Sequence, residues 1–272
     1  MATDLHALAN ELEAAKTQAS TLSPPSSRGE ALSFGEAYRV QAELGARLRR
    51  AGGQPTGRKV GLTNKAVWAS LGLDRVIWST VYQHTMHYAE NDKATLAVAG
   101  MCAPRLEPEI VFGLQSAPPA ETDAPEALLA SVAWLALGFE IVDCHYPGWS
   151  FRPTDAIADY GLHAALIVGS PRPVEADTLS ALAAQLGDFS LRLYRGDTLA
   201  AEGTGSNVLG HPALALGWLA QTIKDYPEAA PLAAGEVITT GTITAALDIR
   251  GGERYKATVE GLELPSLELS VE

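Results

Sequence analysis

The spacing of apolar and polar residues divides the chain into a helical beginning and a longer part built from short strands. Residues 4–20 repeat Leu and Ala at helical intervals, and residues 33–50 form a second amphipathic pattern that stops at residues 51–53, Ala-Gly-Gly. Short β-type runs bounded by Gly, Pro and polar turns follow. The pattern predicts an α+β fold. A helical N-terminal region, residues 1–55, packs on a mixed β-rich domain, residues 56–272, and the two can form one compact unit.

Three segments of the β-rich domain can be assigned individually. Residues 106–114 run from a proline-containing acidic stretch into Ile, Val and Phe, which predicts a strand. Residues 124–138 and 209–224 are rich in Ala and Leu, and we expect both to be helical.

Composition and charge exclude several classes of function. With 47% hydrophobic and 19% charged residues, the chain has enough apolar material for a folded core. A formal net charge of −12 leaves no basic stripe for phosphates, which argues against a nucleic-acid partner. No apolar run is long enough to span a bilayer, and the N-terminus lacks the order of a signal peptide, so no membrane association is expected. The two cysteines have no metal-binding spacing, and we expect a cytoplasmic protein.

Two glutamates flanking a proline, Glu107 and Glu109, are the first candidate for chemistry. In a strand, residues two apart point to the same side, with Cβ atoms roughly 6–7 Å apart. Carboxylates this close repel one another unless a positive charge lies between them. The pair is therefore either part of a cation site or an edge strand facing solvent, which Pro108 would suit.

A third carboxylate favours the cation site. Glu140 lies inside the apolar run Leu-Gly-Phe-Glu-Ile-Val, where an unpaired charge is costly. Three oxygen donors without paired Cys or His ligands favour a hard ion, Mg²⁺ first and then Mn²⁺ or Ca²⁺, and they disfavour Zn²⁺. Asp143 alternates to the opposite face of this run and is a weaker ligand candidate.

Lys59 and two histidines are further candidates. Lys59 ends a short β-type run and is either a surface lysine or an active-site group that binds an anionic substrate or transfers a proton. His163 follows Asp159, and a carboxylate that orients an imidazole would suit a general acid or base. His84 is the other histidine considered for that role.

Several motifs, taken in order, resemble those of the 2-keto-4-pentenoate hydratase family within the fumarylacetoacetate hydrolase superfamily. They are Arg-Lys-Val-Gly-Leu-Thr, Pro-Arg-Leu-Glu-Pro-Glu-Ile-Val-Phe, Glu-Ile-Val-Asp, Val-Leu-Gly-His-Pro and Gly-Glu-Val-Ile-Thr-Thr-Gly-Thr. The resemblance runs from about residue 30 to the C-terminus. It implies a Mg²⁺ or Mn²⁺ site on Glu107, Glu109 and Glu140, an active-site Lys59, a mixed β-rich fold and a homo-oligomer. The implied substrates are small 2-hydroxy-2,4-dienoate or 2-oxo acids from the catabolism of aromatic compounds.

Two departures from the family pattern leave the reaction open. Ile77 stands where these enzymes usually carry an acidic residue, and residues 160–162, Tyr-Gly-Leu, replace most of an Asp-Asn-Ala-Ser segment of which Asp159 is kept. The resemblance still favours a metal-dependent lyase that hydrates a 2-hydroxydienoate to a 4-hydroxy-2-oxo acid.

Three alternatives to hydration remain. The first is decarboxylation of a 2-oxo-enedioate, whose second carboxylate would require a further cation from among Arg58, Arg105 and Arg152. The others are C–C hydrolysis of an acylpyruvate, and a catalytically silent homologue that only binds a metal or ligand.

Overall fold

Two N-terminal helices begin the fold, and a capping side chain fixes the start of each. The computed structural model describes residues 3–29 and 31–272, so Met1, Ala2 and Glu30 of the predicted N-terminal region lie outside the described residues. Helix α1 starts after Asp4, whose carboxylate accepts from two backbone N–H groups of the first turn. Helix α2 starts after Ser33, which forms a reciprocal capping box with Glu36. Both predicted N-terminal helices are confirmed.

Within the described residues there are seven α-helices and fourteen strands. The helices are α1 Leu5–Gln18, α2 Phe34–Arg50, α3 Trp68–Leu71, α4 Pro125–Leu129, α5 Pro153–Ala158, α6 Leu179–Asp188 and α7 Leu214–Ile223. The strands are β1 Pro55–Gly61, β2 Ile77–Tyr82, β3 Met86–Tyr88, β4 Lys93–Leu96, β5 Pro104–Leu114, β6 Val132–Asp143, β7 His163–Val168, β8 Arg172–Pro173, β9 Ser190–Arg195, β10 Thr198–Thr204, β11 Val237–Thr239, β12 Leu247–Asp248, β13 Arg254–Glu260 and β14 Leu267–Val271.

The strands form two mixed sheets. The larger has the order β2-β1-β11-β5-β6-β7-β3, with β12 paired to β5 and β8 paired to β6. The smaller has the order β10-β9-β13-β14-β4. In the larger sheet β11 lies between β1 and β5, parallel to β1 and antiparallel to β5. This arrangement brings three segments that are distant in sequence next to one another at the centre of the sheet.

The helix expected at residues 124–138 is wrong over most of its length. Helix α4 ends at Leu129, and from Val132 the chain is the long strand β6, which pairs with β5 on one side and β7 on the other. Because nearly all of β6 is buried on both faces, its apolar run lacks the alternation of a half-exposed strand. Such a run cannot be distinguished from a buried helix by periodicity. The helix expected at residues 209–224 is confirmed for Leu214–Ile223.

One cluster of buried apolar side chains connects the N-terminal helices to the sheet. It includes Leu12 of α1, Leu44 of α2 and Phe112 of β5, each fully buried. The division of the chain at residue 55 stays a prediction. Among the described residues, no helix combines the length and apolar character needed to cross a membrane.

The pairing of β5 with β6 depends on a glycine that faces an indole ring. Gly113 lies opposite Trp134, and a Cβ atom at position 113 would overlap that ring. We expect Gly113→Ala to lower the free energy of unfolding by about 1–3 kcal/mol, because the strand or the ring must shift. Urea denaturation measures this change. Gly35→Ala is the matched control, since Gly35 is exposed in α2 with open space around it, and a comparable loss there would contradict the explanation.

Candidate active site

Three carboxylates converge where β5 and β6 pair. Glu107 lies directly opposite Glu140 in the antiparallel register, and Glu109 is two residues further along β5 on the same face. One carboxylate oxygen from each of the three lies within 4.8 Å of the others. Glu109 and Glu140 are fully buried. The geometry therefore excludes the alternative of an acidic edge strand facing solvent, because both β5 and β6 lie inside the sheet.

The segment after β11 holds Glu109 in place. The Thr239 hydroxyl donates to Glu109 Oε2, and the backbone N–H of Gly241 donates to the same oxygen at 2.8 Å. The other oxygen, Oε1, is buried without a hydrogen-bond donor among the described residues. Glu109 thus presents one fixed oxygen and one free oxygen.

Mutual repulsion and burial shape the protonation of the three groups. Burial raises the pKa of Glu107 to about 7, an effect that Lys59 partly opposes. Burial, together with Glu140 and Glu107, raises the pKa of Glu109 well above its usual range. Burial alone would also raise the pKa of Glu140, but Lys59 and His163 hold it below the usual value. In the metal-free protein, negative charge is therefore concentrated on Glu140.

The carboxylate set fits a hard divalent cation. Glu109 Oε1 is a buried oxygen that accepts no hydrogen bond among the described residues, and Glu140 Oε2 has only the Lys59 ammonium beside it, at 3.2 Å. Such atoms are costly unless a cation or water satisfies them. Three oxygen donors within 4.8 Å would leave further coordination positions for water and substrate oxygens. Glu107, Glu109 and Glu140 are the residues that could hold the ion.

Lys59 places a buried ammonium group beside this cluster. Its Nζ lies 3.2 Å from Glu140 Oε2 and donates to the carbonyl oxygen of Gly161 at 3.1 Å. Burial opposes the charge on Lys59, but the surrounding glutamates outweigh it and raise the pKa above its usual value. Lys59 is not a surface lysine. In the metal-free protein it is a cation and hydrogen-bond donor, which favours the anion-binding role over the role of a base.

Residues 160–162, which depart from the family pattern, have an unusual backbone conformation. Tyr160, Gly161 and Leu162 all have positive φ angles, between 53° and 62°. This conformation is unfavourable for residues other than glycine. It directs the Gly161 carbonyl to Lys59, so the strained residues Tyr160 and Leu162 flank the glycine that orients the ammonium group. The other departure, Ile77, is buried opposite Gly61 in the β1–β2 pair.

His163 contacts a metal-ligand candidate, but Asp159 does not orient it. His163 Nδ1 lies 2.8 Å from Glu140 Oε1, and its Nε2 lies 3.0 Å from the Thr85 hydroxyl. Burial lowers the pKa of the His163 imidazole, and Glu140 offsets this only in part. Because an ionised carboxylate can only accept, His163 Nδ1–H is the donor to Glu140. The expected pairing of Asp159 with His163 is wrong, because the side chain of Asp159 accepts from His145 Nδ1 at 2.8 Å.

Of the two arginines predicted to bind substrate, only one lies on the side of the carboxylate cluster. Arg105 shares the face of Glu107, where it pairs with Asp248 and helps to lower the pKa of Glu107. Arg58 does not lie on the side of the carboxylate cluster. Because side chains alternate along β1, Arg58 points to the opposite face from Lys59, where it pairs with Glu236. The expectation that Arg58 contacts a substrate at the cluster is therefore wrong.

His84 and His163 line one small cavity of about 40 Å³ together with Lys16. Lys16 extends from α1 and donates to the carbonyl oxygen of His163 at 3.3 Å. The N-terminal helix thus contributes to the surroundings of the site. The role of His84 stays a prediction.

Sequence reasoning missed the groups that support the carboxylates and the lysine. These are the Thr239 hydroxyl, the Gly241 N–H, the Gly161 carbonyl and the Thr85 hydroxyl. The run Thr-Thr-Gly-Thr at residues 239–242 was a signal, because hydroxyl groups followed by glycine favour a turn that exposes backbone N–H groups. The Gly161 carbonyl had no sequence signal.

Comparison with known proteins identifies the family. The chain is 30% identical over 253 residues to 2-hydroxyhexa-2,4-dienoate hydratase of Comamonas testosteroni, covering 93% of this chain and 92% of that protein. It is 29% identical over 227 residues to 2-keto-4-pentenoate hydratase of Burkholderia vietnamiensis, covering 83% and 82% of the two chains. The chain belongs to the 2-keto-4-pentenoate hydratase family. No family model matches the sequence.

Solved structures show the same fold. 4-Oxalocrotonate decarboxylase from Pseudomonas putida G7, complexed with magnesium and adipate, superimposes with a TM-score of 0.87 at 24% identity, covering 98% of this chain and 97% of that one. Proteins of the fumarylacetoacetate hydrolase superfamily are also among the structural neighbours. The expected α+β fold and the resemblance to the hydratase family are confirmed.

Removing one carboxylate tests the metal centre. We expect Glu109→Gln to weaken Mn²⁺ binding at least about 100-fold, because it replaces a buried anionic ligand with a neutral amide. Isothermal titration measures the affinity, and thermal melting with and without Mg²⁺ gives a second readout. Glu126→Gln, an exposed glutamate on α4, is the control. Unchanged Mn²⁺ affinity in Glu109→Gln would remove Glu109 from the ligand set.

The raised pKa of Glu107 predicts a pH dependence of stability in the metal-free protein. Its folded-state pKa of about 7 exceeds the usual 4.5, so the folded state keeps a proton that the unfolded state releases. The stabilisation from this group is therefore present at low pH and is lost as pH rises from about 4.5 through about 7. Urea denaturation in EDTA between pH 5 and 7.5 should show a smaller fall in unfolding free energy for Glu107→Gln than for wild type. An equal fall in both would contradict the assignment.

Proposed function

We propose that the protein is a Mg²⁺-dependent hydratase that converts a small 2-hydroxy-2,4-dienoate into a 4-hydroxy-2-oxo acid. The observation that carries this proposal is the cluster of half-buried Glu107 and buried Glu109 and Glu140, with the Lys59 ammonium 3.2 Å from Glu140. Membership of the hydratase family, with relatives named for dienoate and pentenoate substrates, supports the choice of hydration.

The three glutamates would hold the ion, and Lys59 would bind the substrate. When bound, Mg²⁺ supplies positive charge that stabilises the negative charge developing on the 2-oxygen of a 2-oxo acid. Lys59, fixed by the Gly161 carbonyl, is placed to donate a further hydrogen bond to a substrate oxygen while the dienol tautomerises to the 2-oxo-3-enoate. Water then adds at C4 of this conjugated ketone, with the proton going to C3.

His163 and Asp159 have positioning roles in this proposal. His163 Nδ1 donates to Glu140 Oε1, which fixes the orientation of the carboxylate. Asp159 anchors the strained turn that carries Gly161, because its backbone carbonyl accepts from the Leu162 N–H at 2.7 Å while its carboxylate is held by His145.

Decarboxylation of a 2-oxo-enedioate is the second candidate function. Arg105 favours it, because this guanidinium lies on the face of Glu107 and could pair with a second substrate carboxylate. Arg105 is already paired with Asp248 at 2.7 Å and stacks on Trp149, and this engagement is why hydration ranks first.

The cellular setting and assembly are also proposed. Both cysteines, Cys102 and Cys144, are free thiols, in keeping with a reducing cytoplasm. We propose that the chain forms a homo-oligomer, as its resemblance to the family implies. Light scattering after size-exclusion chromatography measures the oligomeric state directly.

An assay with three substrates tests the function. With Mg²⁺ and freshly prepared 2-hydroxypenta-2,4-dienoate, we expect loss of the dienol absorbance and formation of 4-hydroxy-2-oxopentanoate, measured by spectrophotometry and NMR. Release of CO₂ from the dicarboxylate homologue would favour decarboxylation instead. Formation of two acids from an acylpyruvate would favour hydrolysis, and no turnover of any of the three would overturn the enzyme assignment.

Lys59→Met provides the residue-level test in the same assay. We expect kcat/KM to fall at least about 100-fold, because a charged hydrogen-bond donor at the reacting oxygen is lost. Lys65→Met is the control, since Lys65 lies against the rings of Trp68 and Trp218 outside the carboxylate cluster. Comparable losses in both variants would show that the effect is not specific to Lys59.

A further inference from the structure

Helix α1 contacts the strained turn formed by residues 160–162. Lys16, in the last turn of this helix, donates from Nζ to the backbone carbonyl of His163 at 3.3 Å, directly after the strained turn. The same ammonium group lies over the ring of Tyr160, 4.6 Å from the ring centre, where the strained turn begins. One side chain of α1 therefore contacts both ends of residues 160–162.

Electrostatic attraction acts in the same direction as these two contacts. Burial lowers the pKa of the Lys16 ammonium group, while the charges of Asp159 and Asp143 oppose that change. Asp159 is the residue immediately before the strained turn, and its carboxylate is held by His145 Nδ1. The attraction between Lys16 and Asp159 thus adds to the hydrogen bond and the ring contact in holding α1 against this segment.

The conformation of residues 160–162 requires support from outside the turn. Tyr160 and Leu162 are not glycines, yet both have positive φ angles, of 53° and 61°. Residues in this unfavourable region keep it only where the surrounding structure fixes them. The hydrogen bond from the Leu162 N–H to the Asp159 carbonyl lies within the segment, so it does not fix the direction of the turn relative to β1. Contacts with other elements must supply that direction.

The direction of the turn determines where the Lys59 ammonium group lies. Lys59 Nζ donates to the Gly161 carbonyl at 3.1 Å. The turn also packs directly on β1 and β2, because a Cβ atom at position 161 would lie 2.7 Å from Ser79 Cβ and 3.4 Å from Lys59 Cδ. With so little free space, a displacement of the turn is transmitted to the side chain of Lys59.

We propose that Lys16 is a positioning residue for Lys59. Its contacts with the His163 carbonyl and the Tyr160 ring hold the strained turn in place, and the turn directs the Gly161 carbonyl to the Lys59 ammonium group. This inference rests on the proposed function, in which Lys59 donates to a substrate oxygen. The N-terminal helix is accordingly needed for the geometry of the active site, although it contributes no carboxylate to the cluster.

Turnover of 2-hydroxypenta-2,4-dienoate with Mg²⁺ is the first test. Lys16→Met removes the ammonium group, and we expect kcat to fall about tenfold while the affinity for Mn²⁺ stays unchanged, because the carboxylates are untouched. Lys16→Arg keeps a charged donor that can lie over the Tyr160 ring, and it should recover at least about half of the wild-type kcat. Gln18→Met is the matched control, since Gln18 is exposed in the same turn of α1.

A double variant tests whether Lys16 acts through Lys59. When Lys16→Met is added to Lys59→Met, kcat should fall less than about twofold further, because the group to be positioned is already absent. A merely structural role of Lys16 would lower the melting temperature and would change kcat by the same factor in both backgrounds. If Lys16→Met does not fold, Lys16→Gln, which is neutral and shorter, takes its place.

Crystal structures give a readout that does not depend on turnover. The distance from Lys59 Nζ to the Gly161 carbonyl oxygen should exceed about 4 Å in Lys16→Met and should stay within hydrogen-bond range in Gln18→Met. If the wild-type protein turns over no substrate, the proposed function fails and this distance still decides the role of Lys16. The proposal is overturned if the hydrogen bond persists in Lys16→Met, or if kcat falls equally in both backgrounds.

Discussion

The structure depends on keeping three carboxylates together in a buried place where they repel one another. Glu107, Glu109 and Glu140 are fixed by the pairing of β5 and β6, so the sheet cannot separate them without losing its central hydrogen bonds. Without a metal, the positive charge of Lys59 offsets part of the repulsion among the carboxylates. The glutamates in turn raise the pKa of Lys59 and keep it protonated. Hydrogen bonds from the remaining polar groups around the site orient these side chains.

The cluster of three carboxylates was predictable because its signal is local. Glu107 and Glu109 are two residues apart in one strand, and Glu140 interrupts an apolar run, so each is conspicuous within a few residues of sequence. The overall fold class was predictable for the same reason, since capped amphipathic helices and short strands have distinct patterns. The long strand β6 was not predictable in this way. It is buried on both faces, so its sequence lacks the alternation of apolar and polar residues that marks a half-exposed strand.

The groups that support the site could not be predicted because they depend on pairing between distant segments. Thr239 meets Glu109 through the β11–β5 pair, and Gly161 meets Lys59 through a turn with three positive φ angles. The opposite directions of Arg58 and Lys59 follow from strand alternation, but only the structure shows which of the two faces the carboxylates. An aspartate near a histidine in sequence was also insufficient, because Asp159 turns to His145 instead of His163.

The central position of β11 has a consequence for the order of events during synthesis. Its residues Val237–Thr239 lie between β1 and β5, and the next loop supplies the Gly241 N–H that fixes Glu109. A chain still emerging from the ribosome therefore has β1 and β5 without their shared neighbour until Val237–Thr239 has been made. Folding must wait for a pairing across about 180 residues, which is the kind of long-range contact that slows folding. The hydrogen bonds that fix Glu109 are accordingly completed late in translation, and a truncated chain that ends before β11 lacks them.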